Sequence, residues 1–168
     1  MFAELAIHGL DVVLSDEALP PSLDVRAYSH LLGETGLAFF AAKIFKPAVL
    51  RRDFPKCLAT VPLLLPHESA AIRQQIAGWI ADQGLSVRIA GEIQDSALLK
   101  VFGQAGVGVF PAPAAVADDI TEQFAVEEIG RTDSVRERFY AVTVERRITN
   151  PAVAARIKAS RRIFERKS

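Results

Sequence analysis

The stretch Glu92–Pro113 (EIQDSALLKVFGQAGVGVFPAP) contains the features that decide the fold. Asp95 or Ser96 can cap a helix by accepting hydrogen bonds from exposed backbone N–H groups. Gly106 suits the left-handed conformation at a helix end, and Val107–Phe110 then predicts a short buried strand. The helix between cap and glycine has apolar residues at helical spacing, which predict a buried stripe: Ala97, Leu98, Val101, Phe102 and Ala105. Pro111 and Pro113 are expected to end the strand.

This order of strand, capped helix and buried strand is the unit of an open α/β sheet. In such sheets, ligands bind outside the carboxyl ends of the strands. We therefore expect Asp95 and Ser96 to lie beside a cleft. These residues predict a binding domain of the α/β class, and they specify no chemistry.

Composition excludes several classes of protein. The 168 residues form one domain or two small lobes, and 20 basic residues balance 20 acidic ones, which argues against general nucleic-acid binding. The single Cys57 excludes an internal disulfide and a cysteine-rich zinc site, and it fits a reducing cytoplasm. No apolar run approaches the roughly 18 residues of a membrane span. The amino-terminal residues lack a basic segment and a cleavage site, so no signal peptide is expected.

The remaining elements follow from hydrophobic period, prolines and glycines. The predicted helices are the end of one at Phe2–Leu10, the clearest one at Ser69–Asp82, one over Ala114–Phe124, and a final one that Asn150 caps with Pro151 at its first position. Val25–Leu31 and Gly36–Ala42 are either two strands or one strand interrupted at Gly33. The other predicted strands are Asp11–Ser15 (buried), Val61–Leu65, Ser86–Glu92, Val126–Ile129 and Arg138–Arg146, with Arg131–Val135 as a polar connector.

Five segments together resemble the effector-binding domain of LysR-type transcriptional regulators: FAELAIHGLDVVLSD, LLGETGLAFFAA, VPLLLPHESAAIRQQIAGW, GEIQDSALLKVFGQAGVGVFPAP and IGRTDSVRERFYAVTVERR. The resemblance covers nearly the whole chain. Within the family, the chain is most similar to the subgroup of NhaR, the sodium/proton antiporter activator. The segments DSALLKVFGQAG and RERFYAVTVERR are specific to that subgroup.

The resemblance implies a two-lobed fold like that of type II periplasmic binding proteins, with a cleft crossed by two hinge strands. Residues 1–33 and 137–168 would form lobe I, and residues 34–136 would form lobe II. The hinges would lie around Leu32–Thr35 and Ser134–Arg138. Aligned by eye, Phe2–Leu10 matches the second helix of lobe I, so we expect lobe I to be incomplete and to lack its first strands. The winged helix-turn-helix that reads DNA in this family is also expected to be absent from the chain.

The resemblance also implies which residues face the effector: Ser15, Asp16, Glu34, Thr35, Pro66, His67, Glu68, Ser69, Asp95 and Ser96. Helix starts at Ser69 and Asp95 would offer N–H groups to an anion, although helix capping alone is the favoured interpretation of each residue. A sodium or lithium ion needs several oxygen ligands, which the carboxylates Asp16, Glu34, Glu68, Glu92 and Asp95 can supply. No spaced oxygen-ligand motif accompanies them, so a small anion stays open as the effector.

The expected function is effector sensing by lobe closure, transmitted to a homodimer or higher homo-oligomer and so to transcription of a sodium/proton antiporter gene. DNA would be bound only through the absent domain, in the cytoplasm, and without contact with a membrane. No catalytic residues are expected, because no nucleophile, base and oxyanion donor converge. No metal site or cofactor is expected either. Two alternatives stay open: a solute-binding protein of the same fold and an inactive truncated regulator.

Overall fold

The computed structural model describes residues 10–19, 27–144 and 151–165. The chain divides into two compact units, Met1–Thr35 with Glu137–Ser168 (unit 1) and Gly36–Arg136 (unit 2). Assigning these units to the lobes of a sensor stays a prediction. The predicted helix at Phe2–Leu10 lies outside the described residues except for Leu10, and the predicted cap at Asn150 lies outside them as well.

The main sheet has four strands in the order β1-β6-β2-β5. They are β1 (Val13–Ser15), β2 (Tyr28–Ala42), β5 (Phe110–Pro113) and β6 (Val126–Thr143). The chain passes between the units within β2, after Thr35, and within β6, after Arg136. Close packing of these two strands requires a glycine at position 36, because a Cβ there would lie 2.7 Å from the backbone oxygen of Thr132.

Three strand predictions need correction. β2 is one strand that continues through Gly33, and β6 is one strand that includes the predicted connector Arg131–Val135. The connector is extended because its backbone takes part in the sheet while its charged side chains point outward. β1 is an edge strand rather than a buried one, since the side chain of Leu14 is 59% exposed.

The strand after the capped helix is also displaced from its predicted position. β5 contains Pro111 and Pro113 and pairs antiparallel with β2. Alternate residues of a strand direct their backbone groups to opposite sides. Val109 pairs with β3 (Pro62–Pro66), so by this alternation the two prolines face the same side as Val109. Phe110 and Ala112 then face β2, and no proline N–H is needed for that ladder.

Unit 2 contains a second, parallel pair of strands, β3 and β4 (Arg88–Ile93). Its helices are α1 (Pro47–Leu50), α2 (Ala71–Asp82), α3 (Ser96–Gln104) and α4 (Ala117–Phe124), with 3-10 turns at Lys43–Phe45, Arg51–Asp53, Lys56–Ala59 and Ala114–Val116. The elements between Lys43 and Ala59 are short, because Pro47 and Pro55 prevent a continuous helix in this segment. In unit 1, α5 (Pro151–Glu165) begins with the predicted proline.

The core of unit 2 is organised around an aromatic cluster beneath α2. The Trp79 ring stacks on Phe39 at 5.4 Å between ring centroids and on Phe54 at 6.1 Å. Ile76 and Leu65 are completely or almost completely buried in the same cluster. α2 therefore packs through Ile72, Ile76, Trp79 and Ile80, which recur at helical spacing within the helix predicted at Ser69–Asp82.

The predicted stripe on α3 is wrong. Leu98, Val101 and Phe102 are 50%, 48% and 44% exposed, and Ala97 and Ala105 are exposed as well. α3 instead buries Leu99 and Gly103, which face β3 and β5. Helical spacing identifies an apolar face, but the neighbouring sheet determines which face is covered. Within the described residues, no helix is both long and apolar enough to cross a membrane.

Candidate functional site

The two parallel strands of unit 2 end side by side at a polar cavity. β3 ends at Pro66 and β4 at Ile93, and the backbone N–H of His67 donates to the Ile93 oxygen over 3.0 Å. The cavity has a volume of about 580 Å³. Most of the residues that line it are polar or charged: His67, Glu68, Ser69, Arg73, Gln74, Ala77 and Glu92. The carboxyl ends of parallel strands are where open α/β sheets bind ligands.

The loop His67–Ser69 forms one wall of the cavity. His67 Nδ1 lies 2.9 Å from Ser69 Oγ and accepts from the Ser69 backbone N–H at 3.3 Å. The prediction that Ser69 begins and caps the helix is wrong: α2 begins at Ala71, and the capping position is Ala70, which makes no side-chain bond. The Ser69 side chain orients the imidazole instead.

Arg73 and Glu92 form an ion pair in the lining of the cavity. Arg73 Nη2 donates to Glu92 Oε1 at 2.8 Å, and the Arg73 side chain is only 15% exposed. Its Nε is buried and, within the described part of the chain, has no hydrogen-bond partner. The parallel pairing of Leu65 with Glu92 brings this carboxylate to the first turn of α2.

Sequence reasoning missed Arg73, Gln74 and Ala77, and it named Glu92 only as a carboxylate near the cleft. Arg73 lies four residues after Ser69, where the helix was predicted to begin, so a helix starting near a predicted cleft was a usable indication. The partner of Arg73 was not indicated, because Glu92 is nineteen residues away in the chain.

The other residues predicted in unit 2 lie near the same strand ends. Pro66 is the last residue of β3. Asp95 follows β4 and caps α3, its Oδ1 accepting from the N–H of Ala97 at 2.7 Å and of Leu98 at 3.1 Å. Ser96 is the first residue of α3. Asp95 and Ser96 are not among the residues that line the cavity, and their contact with an effector stays a prediction.

The remaining predicted residues belong to unit 1. Ser15 ends β1 and its Oγ accepts from the N–H of Glu17 at 3.1 Å, while Asp16 is exposed. Glu34 Oε2 accepts from Arg138 Nε at 2.5 Å, and this hydrogen bond raises the pKa of Arg138 above its ordinary value. Thr35 is buried in β2. Their role in effector binding stays a prediction.

The carboxylates named as ion ligands are distributed over both units. Asp16 and Glu34 belong to unit 1, whereas Glu68, Glu92 and Asp95 belong to unit 2. Only Glu68 and Glu92 line the cavity, where Arg73 accompanies them. Among the residues that the structure describes, no group of three or more His, Cys, Asp or Glu side chains is placed to hold a metal ion.

Known proteins similar to this chain are regulators of transcription. The chain is 34% identical over 153 residues to the transcriptional activator protein NhaR of Escherichia coli K12, an alignment that covers 91% of this chain and 50% of NhaR. It therefore spans about half the length of the curated relatives that it matches. This similarity confirms the predicted NhaR-like subgroup.

Solved structures show the same fold at low sequence identity. The cofactor-binding domain of the Cbl transcriptional regulator has a TM-score of 0.67 at 15% identity, covering 97% of this chain and 75% of that one. The effector domain of AmpR from Pseudomonas aeruginosa has a TM-score of 0.64 at 17% identity, covering 97% and 76%. These likenesses confirm the predicted α/β fold of the type II periplasmic-binding-protein class.

The family described as LysR substrate binding domain matches residues 2–164, nearly the whole chain. The family and the relatives are transcriptional regulators rather than enzymes, in agreement with the prediction of no catalytic activity. The chain belongs to the LysR substrate binding domain family.

Proposed function

We propose that this chain is the effector-sensing part of a LysR-type transcriptional regulator and that the cavity of unit 2 binds its effector. The observation that carries the proposal is the polar cavity at the carboxyl ends of β3 and β4, beside the loop His67–Ser69. Ligand pockets are usually lined by apolar and aromatic side chains. Among the described residues, Ala77 is the single apolar one in the lining, so we expect the effector to be a small hydrophilic molecule or ion.

The two units correspond, in this proposal, to the two lobes of the sensor. The chain crosses between them within β2 and β6, close to the hinges expected at Leu32–Thr35 and Ser134–Arg138. Effector binding would change lobe closure, which is the signal that the family resemblance implies. The expected first boundary between the lobes lies between residues 33 and 34, whereas the division into compact units lies two residues later, after Thr35.

The identity of the effector has two candidates. A response to sodium or lithium, with activation of an antiporter gene, is supported by the similarity to NhaR. A small anion is supported by Arg73, because a guanidinium in the lining repels cations and binds oxyanions. Glu68 and Glu92 supply too few oxygens for a complete coordination shell, so a cation would need backbone carbonyls and water as well.

Self-association is the second part of the proposal. The face of α3 formed by Leu98, Val101 and Phe102 is apolar and exposed, and such patches commonly mark protein interfaces. A homodimer or higher homo-oligomer would cover it. DNA would be bound by a separate amino-terminal domain of the complete regulator, and the cytoplasm is the compartment in which such a regulator meets its operator.

Thermal unfolding of the 168-residue chain tests the effector, since a ligand that binds only the folded state raises Tm. Sodium, lithium and potassium chloride are compared at matched ionic strength, together with sodium glycolate. A shift with sodium and lithium that Glu68→Gln removes would establish a cation sensor. The matched control is Glu122→Gln, an exposed carboxylate on α4 away from the cavity. Equal shifts with all chlorides and a further shift with glycolate would establish the anion instead.

If neither the salts nor glycolate shifts Tm, a library of small polar metabolites is screened in the same assay. Failure of every compound to bind at the cavity would contradict the effector-sensing role of this site.

A further inference from the structure

Arg73 is a largely buried charged residue whose hydrogen-bond donors are incompletely paired within the described part of the chain. It is the third residue of α2, its side chain is largely buried, and it lines the cavity. Its Nη2 has one partner, Glu92, and its Nε has none among the described residues. Unpaired buried donors are rare in native proteins, and each one calls for an explanation.

The contact with Glu92 uses only a small part of the hydrogen-bonding capacity of the guanidinium group. Arginine carries five N–H donors in a planar fork that matches a carboxylate with two parallel hydrogen bonds. Glu92 meets this fork with one oxygen at one nitrogen. The side chain of Glu92 is 36% exposed, so water can replace Arg73 as its partner at small cost. The pair is therefore able to open when a better acceptor enters the cavity.

We infer that Arg73 binds an acidic group of the effector and that Glu92 competes with this group for the guanidinium. The inference rests on the proposed function, in which the cavity is the effector site. When the effector binds, its carboxylate takes the Nη2 of Arg73 from Glu92 and, after a small rotation of the guanidinium, also accepts from Nε. Glu92 then turns to solvent. Glu92 thus sets the effector concentration at which the site fills.

The rest of the lining restricts the charge and the chemistry of the effector. Glu68 adds a second carboxylate to the cavity, which disfavours an effector with more than one negative charge. Gln74 and His67 supply further hydrogen-bonding groups to the lining. A small monocarboxylate that also carries a hydroxyl group fits these residues. Glycolate is the simplest such molecule, and glycolamide is its neutral counterpart.

The test follows the Nε–H resonance of Arg73 by NMR while the 168-residue chain is titrated with glycolate or glycolamide at constant ionic strength. We expect glycolate, and not glycolamide, to shift this resonance. Glu92→Gln is expected to lower the Kd for glycolate about two- to fivefold, the range for removing a partly exposed ion pair that competes with the ligand. Glu128→Gln is the matched control, because Glu128 pairs with Arg131 outside the cavity, and it should leave the Kd unchanged.

Three results would overturn the inference. They are the same Kd in Glu92→Gln as in the wild-type chain, a response to glycolamide equal to that with glycolate, and no shift with glycolate in either protein. Arg73→Lys, which keeps the charge and loses the fork, should weaken glycolate binding. If substitution of the buried Arg73 prevents folding, the comparison of Kd between wild type and Glu92→Gln still tests the inference, because it leaves Arg73 unchanged.

The same titrations separate this inference from the proposed function. Suppose that a compound from the screen binds at the cavity with the same Kd in wild type and in Glu92→Gln. The cavity would then be established as the effector site, and the inference that Glu92 competes with the effector would be wrong.

Discussion

Gly103 of α3 packs against Phe110 of β5 so closely that a Cβ at position 103 would overlap ring atoms of Phe110. This contact lets α3 approach the sheet through its Leu99–Gly103 side. The more apolar side of the helix, with Leu98 and Phe102, is consequently left exposed. One residue without a side chain therefore decides which face of α3 is available to a partner.

Gly103→Ala should destabilise the chain. The added methyl group must displace the fully buried Phe110, and overpacking of this kind costs about 1–3 kcal/mol, more than the helix propensity gained. Gly78→Ala is the matched control, because nothing lies within 4 Å of a Cβ at position 78 in α2. It should increase the free energy of unfolding by about 1 kcal/mol. Urea denaturation measures both, and equal effects of the two substitutions would contradict the packing argument.

Asp95→Ala should lower the free energy of unfolding by about 0.5–2 kcal/mol, the usual cost of losing a helix cap. The reason is that its carboxylate accepts from two N–H groups of the first turn of α3. Asp95→Asn should retain most of this stability, since asparagine caps about as well. Comparing the Kd for the effector in wild type and in Asp95→Asn then isolates the contribution of the Asp95 charge to binding. Weaker binding at unchanged stability would make Asp95 an effector contact as well as a cap.

Leu98→Glu should reduce self-association while changing the free energy of unfolding by less than about 0.5 kcal/mol. Leu98 is 50% exposed, and exposed positions contribute little to folding. Sedimentation velocity measures the association. Ile163→Glu, on an exposed position of α5 with 45% exposure, is the control and should leave association unchanged. An unaltered sedimentation profile of Leu98→Glu would show that α3 is not the contact surface.

Stability should decrease above about pH 9 because of Cys57. Burial, followed by the nearby charge of Asp53, raises the pKa of this thiol above its ordinary value of 9.0. At pH values above 9.0 the unfolded chain loses the thiol proton and the folded chain keeps it, so unfolding becomes more favourable. Below that pH both states are protonated and the effect vanishes. Urea denaturation between pH 8 and 10 should show that the free energy of unfolding falls less steeply with pH in Cys57→Ala than in the wild-type chain. The same dependence on pH in both proteins would contradict this account.

The sequence alone determined those structural elements that depend on interactions between residues close together in the chain. The cap at Asp95, the buried stripe of α2, the broken segment after Lys43 and the proline at the start of α5 all depend on hydrogen bonds, dihedral angles or periodicity within one or two turns. The order of strand, capped helix and strand predicted the α/β class, and the similarity of five segments to a known family supplied the two-lobed fold. The loop His67–Ser69 was predicted in this way and lies in the wall of the cavity.

Contacts between distant residues decided the rest. The exposed side of α3 depends on Phe110, the continuity of β6 through charged residues depends on its neighbouring strands, and the pairing of Arg73 with Glu92 depends on the register of β3 with β4. Periodicity reports which residues of a helix share a face, whereas burial is set by what packs against that face. The amino-acid sequence thus determined the class of protein and most of its helices, and the tertiary structure decided which surfaces remain open and which charges meet in the cavity.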